Sequence, residues 1–251
     1  MAEWSYAFFS VGLSMDLEEE YHTWHSPALG REFRMLTFGH AGYPVILFPT
    51  SQGSYYQNKD EGLVAAARWF VENGKVKIYC PDSIDAQSWY NKSVAPAERA
   101  WQHTRYDQLL REEIYPKVRH ETGHDRIATA GCSFGGYHAA NFAFRHPGIT
   151  GYCFSMSGVF DIRNFTDGYY DDNVYFNNPA DFIPNAQDPD LWKMGIVLGT
   201  AEWDSCRAQN ELMSSLLFAK HIDHWLDIRP GRNHDWPVWR EMFPHYLSML
   251  P

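Results

Sequence analysis

The chain has 251 residues, enough for one large α/β domain or two small ones, with 45% hydrophobic and 21% charged residues; that balance excludes disorder and implies a full core. A net charge of −10 makes nucleic acid and anionic membrane poor partners. No apolar run approaches the roughly 18 residues that cross a bilayer, and Met1-Ala2-Glu3-Trp4 shows no basic region followed by an apolar run, so a cytoplasmic protein is expected.

The first forty residues read as strands at 6–11, 20–25 and 32–38, with Pro27-Ala28-Leu29-Gly30 as a turn between the last two. Val45-Ile46-Leu47-Phe48 is a continuous apolar run, the pattern of a strand buried on both faces. A helix is expected at 61–72, with Leu63, Val64, Ala67, Phe70 and Val71 on one face and Asn73-Gly74 closing it, then a strand at 76–80. A long helix at 96–120 opens on Pro96 and is expected to kink at Pro116. There follow a strand at 126–132, a helix at 135–145, a strand at 152–156, a strand at 194–198, a helix at 206–220, a strand at 224–228 and a helix at 237–250. This alternation predicts an α/β fold over residues 1–251, with a mostly parallel central sheet, antiparallel N-terminal strands and helices on both faces. The irregular segment 160–191 is either a functional lid or cap, or an insertion of short helices that only packs.

Where the strand at 126–132 meets the next helix stands Gly131-Cys132-Ser133-Phe134-Gly135-Gly136, a G-x-S-x-G run. A strand fed straight into a helix needs a sharp turn. Glycines flanking the apex remove colliding Cβ atoms, and the serine hydroxyl is left exposed at the positive end of the helix. Alone the pattern is weak; in this context Ser133 is the expected nucleophile.

A serine hydroxyl needs a base and an acid to orient that base, in the chain order Ser, Asp or Glu, His. The order is present. His234 lies in the loop after the strand at 224–228, and Glu202-Trp203-Asp204 lies in the loop after the strand at 194–198, both at carboxyl ends of strands. Asp204 is preferred as the acid because a shorter side chain leaves less slack; Glu202 is the alternative. Asp235 reads as a helix cap, and His138 and His146 read as structural. His221 and His224 straddle a helix-to-strand junction and make a poor metal site. The backbone N–H groups expected to bind an oxyanion are those of Phe134 and Ser51, with Gln52 as second choice.

Of Cys80, Cys132, Cys153 and Cys206, three fall in or at the end of buried strands, and none forms a C-x-x-C pair, so zinc and redox motifs are absent and no metal or organic cofactor is expected. Tyr55, Tyr56, Trp89, Tyr90, Trp203, Trp236 and Trp239 fall around the expected site, either as an aromatic wall for an aryl or sugar ester or as rim packing.

These residues resemble the putative-esterase branch of the α/β-hydrolases, which includes esterase D, feruloyl esterases and mycolyltransferases. Ser26-Pro27-Ala28-Leu29-Gly30-Arg31 resembles the family's early hairpin, and the Gly131–Gly136 run resembles its elbow. Asn233-His234-Asp235-Trp236-Pro237-Val238-Trp239 is similar to its histidine box and is the most specific match. The resemblance covers most of the chain. It implies the α/β-hydrolase fold, Ser133 as nucleophile, His234 as base, and Phe134 and Ser51 as oxyanion donors. Two features depart from the family: Pro49-Thr50 stands where His-Gly or Asp-Gly is usual, and the family's usual acid position falls on Glu202, while the Glu-Trp-Asp context favours Asp204. The expected function is a serine hydrolase of carboxylic esters or thioesters acting on a small-molecule substrate. The alternatives are an acyltransferase using the same acyl-enzyme and a non-catalytic binding protein of the same fold. Oligomeric state is left open.

Overall fold

The computed structural model describes residues 17–251, so the strand expected at 6–11 lies outside the described residues. Eight strands form one sheet in the order β1-β2-β4-β3-β5-β6-β7-β8. They are β1 (Glu19–Ser26), β2 (Arg31–Phe38), β3 (Tyr43–Phe48), β4 (Val76–Pro81), β5 (Ile127–Cys132), β6 (Thr150–Met156), β7 (Gly195–Ala201) and β8 (Trp225–Arg229). β1 pairs with β2, and β2 with β4, in antiparallel fashion; every other pairing is parallel. The expected mostly parallel sheet with an antiparallel amino-terminal edge is therefore observed.

Burial explains the strand sequences. Every residue of β3 and β5 is buried, which suits their unbroken small and apolar runs in the middle of a sheet covered on both sides. Five longer helices carry most of the covering: α1 (Pro96–Leu109), α2 (Tyr115–Thr122), α3 (Phe134–Arg145), α4 (Arg207–Ala219) and α5 (Trp236–Leu247). On one face Val45, Leu47, Ile78, Ala130, Phe154 and Val197 pack with Val238, Met242 and Phe243 of α5. On the other, Ile46, Phe48 and Tyr79 pack with Tyr106, Leu109 and Val118 of α1 and α2 and with Phe142 of α3, while Cys153, Ile196 and Leu198 meet Met213 and Leu217 of α4. Alternate residues of one strand thus face opposite helical layers, as the period of two requires. No helix among the described residues is long and apolar enough to cross a membrane.

Two elements differ from expectation. The helix expected at 61–72 is two short helical segments, Leu63–Ala66 and Arg68–Glu72, preceded by a third at Gln57–Asp60. Gly62, at φ 74°, breaks Gln57–Asp60 from Leu63–Ala66. Leu63, Val64, Ala67 and Val71 are nevertheless buried, as the apolar spacing implied. The long helix does not merely kink at Pro116. A π-helical turn at Leu110–Ile114 separates α1 from α2, and Pro116 sits in the first turn of α2. Proline lacks an N–H and its ring crowds the carbonyl four residues back, so a wider turn just before it relieves both conflicts.

The amino-terminal hairpin is fastened to this π turn. One carboxylate, that of Glu113, accepts hydrogen bonds from Trp24 Nε1 at 2.7 Å, Ser26 Oγ at 2.7 Å and the Ala28 N–H at 2.9 Å. Segment 160–191 forms short helical turns with Phe160, Ile162, Val174, Phe182, Ile183 and Leu191 buried. It is tied to α3 through Asn177: its Oδ1 accepts from Asn141 Nδ2 at 3.0 Å and Arg145 Nη1 at 2.7 Å, and its carbonyl accepts from the Tyr137 hydroxyl at 2.8 Å.

Candidate active site

Ser133 lies between β5 and α3 at φ 56°, ψ −120°, a conformation that costs a non-glycine residue on the order of 1–3 kcal/mol. The surrounding glycines make it attainable by permitting close approach. A Cβ on Gly131 would lie 2.3 Å from the Gly135 carbonyl oxygen, and one on Gly135 would lie 2.5 Å from the Pro49 oxygen. A Cβ on Gly136 would lie 2.7 Å from Ser155 Oγ. The elbow is thus wedged between its own helix and the end of β3, and the Ser133 N–H is anchored to the Met156 carbonyl at 2.8 Å.

The loop after β7 and the loop after β8 are zipped together. The Glu202 N–H donates to the Arg229 carbonyl at 2.9 Å and the Trp203 N–H to the Arg232 carbonyl at 3.0 Å. Glu202 Oε2 accepts the Gly231 N–H at 2.7 Å. This pairing delivers His234 to two partners: Nδ1 is 2.8 Å from Asp204 Oδ1 and Nε2 is 2.9 Å from Ser133 Oγ. The structure therefore brings Ser133, His234 and Asp204 into one hydrogen-bonded chain. Glu202, the alternative acid, spends its carboxylate on holding the histidine loop. Asp235 caps α5, its Oδ1 accepting the Trp236 N–H at 2.8 Å.

Asp204 is held by more than the imidazole. Its side chain is fully buried. Oδ1 also accepts the Cys206 N–H at 2.7 Å, and Oδ2 accepts the Ser157 hydroxyl. Ser157 Oγ in turn accepts Trp239 Nε1 at 2.8 Å, and the Trp239 ring stands edge-on to the His234 ring at 5.0 Å and 87°. Burial alone would raise the Asp204 carboxyl, but hydrogen bonds from His234, Ser157 and Cys206 hold it below the usual carboxylate range. Burial likewise works to lower His234, yet the Asp204 bond and charge, with the neighbouring Cys206, push it up to about 9.

The loop after β3 carries the other expected donor. The Gln52 N–H is already committed to Asp85 Oδ2 at 2.9 Å, with Gln52 at φ 56°. At Ser51, the other candidate there, Oγ accepts the Tyr90 hydroxyl at 2.9 Å. Phe134 is the first residue of α3, where the helix offers no internal acceptor for its N–H. Behind the loop, Asp85 Oδ1 lies 2.8 Å from His138 Nε2, and both side chains are buried. His138 is structural, as expected, and the side chain it orients is an aspartate the sequence did not flag.

The aromatic residues divide. Trp239 is only 4% exposed and Trp89 is fully buried, so neither lines the site, whereas Trp203 is 63% exposed. Tyr90 and Phe165 lie 5.0 Å apart and pack against the Phe134 ring at 5.3 and 5.4 Å, which sets an aromatic wall beside Ser51. Phe165 comes from segment 160–191 and was not singled out from sequence. Ser157 was also missed; it follows β6 directly, with no local pattern to mark it. At the remaining histidines, both nitrogens of His224 are engaged, Nε2 at 2.7 Å from Ser214 Oγ and Nδ1 at 2.9 Å from the Ile222 carbonyl, and His146 meets Asp107 at 2.9 Å.

A serine at the apex of a strand–helix elbow, with an imidazole and a carboxylate from loops at the same end of a mostly parallel eight-stranded sheet, is the arrangement of an α/β-hydrolase. The chain belongs to the family described as "Putative esterase", whose model matches residues 39–249. Its fold is shared with a ferulic acid esterase (17% identity, 93% of this chain and 97% of that one, TM-score 0.75). It is shared also with the S-formylglutathione hydrolase of Staphylococcus aureus (17% identity, 93% and 97%, TM-score 0.71). A third similar structure is MPT51 of Mycobacterium tuberculosis (16% identity, 94% and 98%, TM-score 0.72). No curated protein matches the sequence.

Proposed function

We propose that the protein hydrolyses carboxylic esters or thioesters through an acyl-enzyme on Ser133. The observation that carries this reading is the continuous chain from Ser133 Oγ to His234 Nε2 at 2.9 Å and from His234 Nδ1 to Asp204 Oδ1 at 2.8 Å. Ser133 Oγ attacks the acyl carbon while His234 takes its proton, and Asp204 fixes the tautomer and stabilises the imidazolium. The tetrahedral oxyanion is received by the N–H groups of Phe134 and Ser51, each worth roughly 10²–10³ in rate. His234 returns its proton to the leaving alcohol or thiol, then activates water to release the acid and free serine.

The Tyr90–Phe165 wall beside Ser51 supports an acyl group with a flat or short chain, and the likeness to a ferulic acid esterase points the same way. Segment 160–191 supplies Phe165 and is fastened to α3 through buried Asn177, which favours a fixed wall over a moving lid. The test is fluorophosphonate labelling together with hydrolysis of p-nitrophenyl esters of rising chain length and of a hydroxycinnamate ester. Ser133→Ala is expected to abolish labelling and to lower kcat by about 10⁶. A wild-type protein that neither labels nor hydrolyses any of these esters would refute the proposal.

A further inference from the structure

Ester hydrolysis leaves one thiol at the site idle. Cys206 is partly exposed and free of any disulfide, while Cys80, Cys132 and Cys153 are buried. Its sulfur, a carboxylate oxygen of Asp204 and an imidazole nitrogen of His234 all lie within 4.8 Å of one another. The Asp204 side chain has no solvent exposure and the His234 side chain is 25% exposed, so the cluster is walled on one side and open on the other.

The donor set is specific. Thiolate, imidazole and carboxylate are the three side-chain types that hold zinc, at about 2.3, 2.0 and 2.0–2.2 Å respectively. Around a tetrahedral ion those bond lengths set the donors about 3.4–3.6 Å apart, so closures of up to about 1.4 Å bring this cluster, whose donor atoms lie within 4.8 Å of one another, to that shape. Hard cations such as Mg²⁺, which take oxygen ligands, gain little from a sulfur and a nitrogen.

We propose that a thiophilic divalent cation of the zinc type binds Asp204, Cys206 and His234 and reversibly switches the enzyme off. The inference rests on the hydrolase reading above and adds a regulator to that same site. The Cys206 S–H bond breaks, a metal–sulfur bond forms, and the proton leaves to water. The imidazolium's Nδ1 proton, shared with Asp204, also leaves to water, and the cation takes that lone pair. The proton on Nε2 stays, so Ser133 faces a donor where it needs a base. Water or a small anion fills the fourth position, and no electron is transferred.

Metal-free protein assayed on p-nitrophenyl acetate tests this, with zinc as the inhibitor and cobalt(II) as the spectroscopic probe. Zinc is expected to suppress hydrolysis and EDTA to restore it, while the same concentration of magnesium does nothing. Read against its own metal-free rate, Cys206→Ser, whose serine suits the start of α4, needs at least about tenfold more zinc for the same fractional inhibition, the loss that even outer partners of a metal ligand produce. Cys206→Ala is the second variant and behaves alike. Cobalt is expected to give a thiolate-to-metal charge-transfer band in the wild type that is missing in both variants. Equal zinc sensitivity in wild type and variants, or a wild type without that band, overturns the proposal. A protein that is inactive without metal yet gives the band when cobalt is added refutes the hydrolase reading and leaves the metal site standing.

Discussion

The two sides of the site are held by different physics. The Ser133 side is a backbone construction: the serine is forced into its turn by three glycines whose missing Cβ atoms let β3, β5, β6 and α3 touch. The His234 side is a side-chain construction, in which Trp239, Ser157, Asp204 and His234 hand hydrogen bonds along a partly buried line. The first tolerates almost no change of shape. The second tolerates change of shape and fails when a proton is lost or gained.

After Ser133→Ala, removing charge from the side-chain half gives the largest effect. Asp204→Asn keeps the volume but lets His234 adopt the wrong tautomer, and kcat is expected to fall by about 10⁴. Glu202→Gln, which only weakens the tie to the Gly231 N–H, should stay within roughly tenfold; steady-state kinetics on the pair separates acid from clasp. On the backbone half, Gly131→Ala places a methyl group 2.3 Å from a carbonyl oxygen that no side-chain rotation can move. Overpacking of that kind costs about 1–3 kcal/mol or more, and an elbow displaced by about 1 Å loses on the order of 10² in rate. Thermal melting and kinetics should therefore drop together. Trp239→Phe removes the donor to Ser157, whose hydroxyl still bonds Asp204, and also shrinks a buried ring; the unmet acceptor and the lost volume together cost about 1–3 kcal/mol, so melting should show a lower Tm, with a smaller loss in kcat than for Asp204→Asn. The smallest effect is on pH. His234 is raised from 6.5 to about 9, so the neutral base accumulates only as pH climbs through that interval, and kcat/KM should rise with it. The stability from the protonated pair runs oppositely, being complete below about 6.5, the unfolded value, and lost as pH passes the folded one. In Asp204→Asn the rising limb of kcat/KM should move to lower pH.

This contrast also sorts what could be read from the chain. The elbow was legible because its cause is local: glycines at fixed offsets between a buried strand and a helix. The parallel sheet was legible from continuous apolar runs alternating with helical spacing. The acid stayed open between Asp204 and Glu202 because two carboxylates separated by one residue share a loop, and only the partner of each, His234 for one and the Gly231 N–H for the other, distinguishes them. Asp85 and Ser157 were illegible because their partners Gln52 and Asp204 are 33 and 47 positions away. Trp239 belonged to a recognisable box, but not its depth: the ring expected at a pocket rim is packed beneath the histidine. Pro116 announced a disturbance in the long helix without saying that a π turn would absorb it.

The clasp made by Glu113 has a consequence for how the molecule is assembled. The three groups it receives, from Trp24, Ser26 and Ala28, precede it by 89, 87 and 85 positions. During synthesis, at about 5–20 residues per second, the hairpin emerges several seconds before its anchor exists, with the backbone of an outer strand available for mispairing. Its locking is thus a late event, and the interval before it is the period in which a nascent chain is most exposed to association with its neighbours.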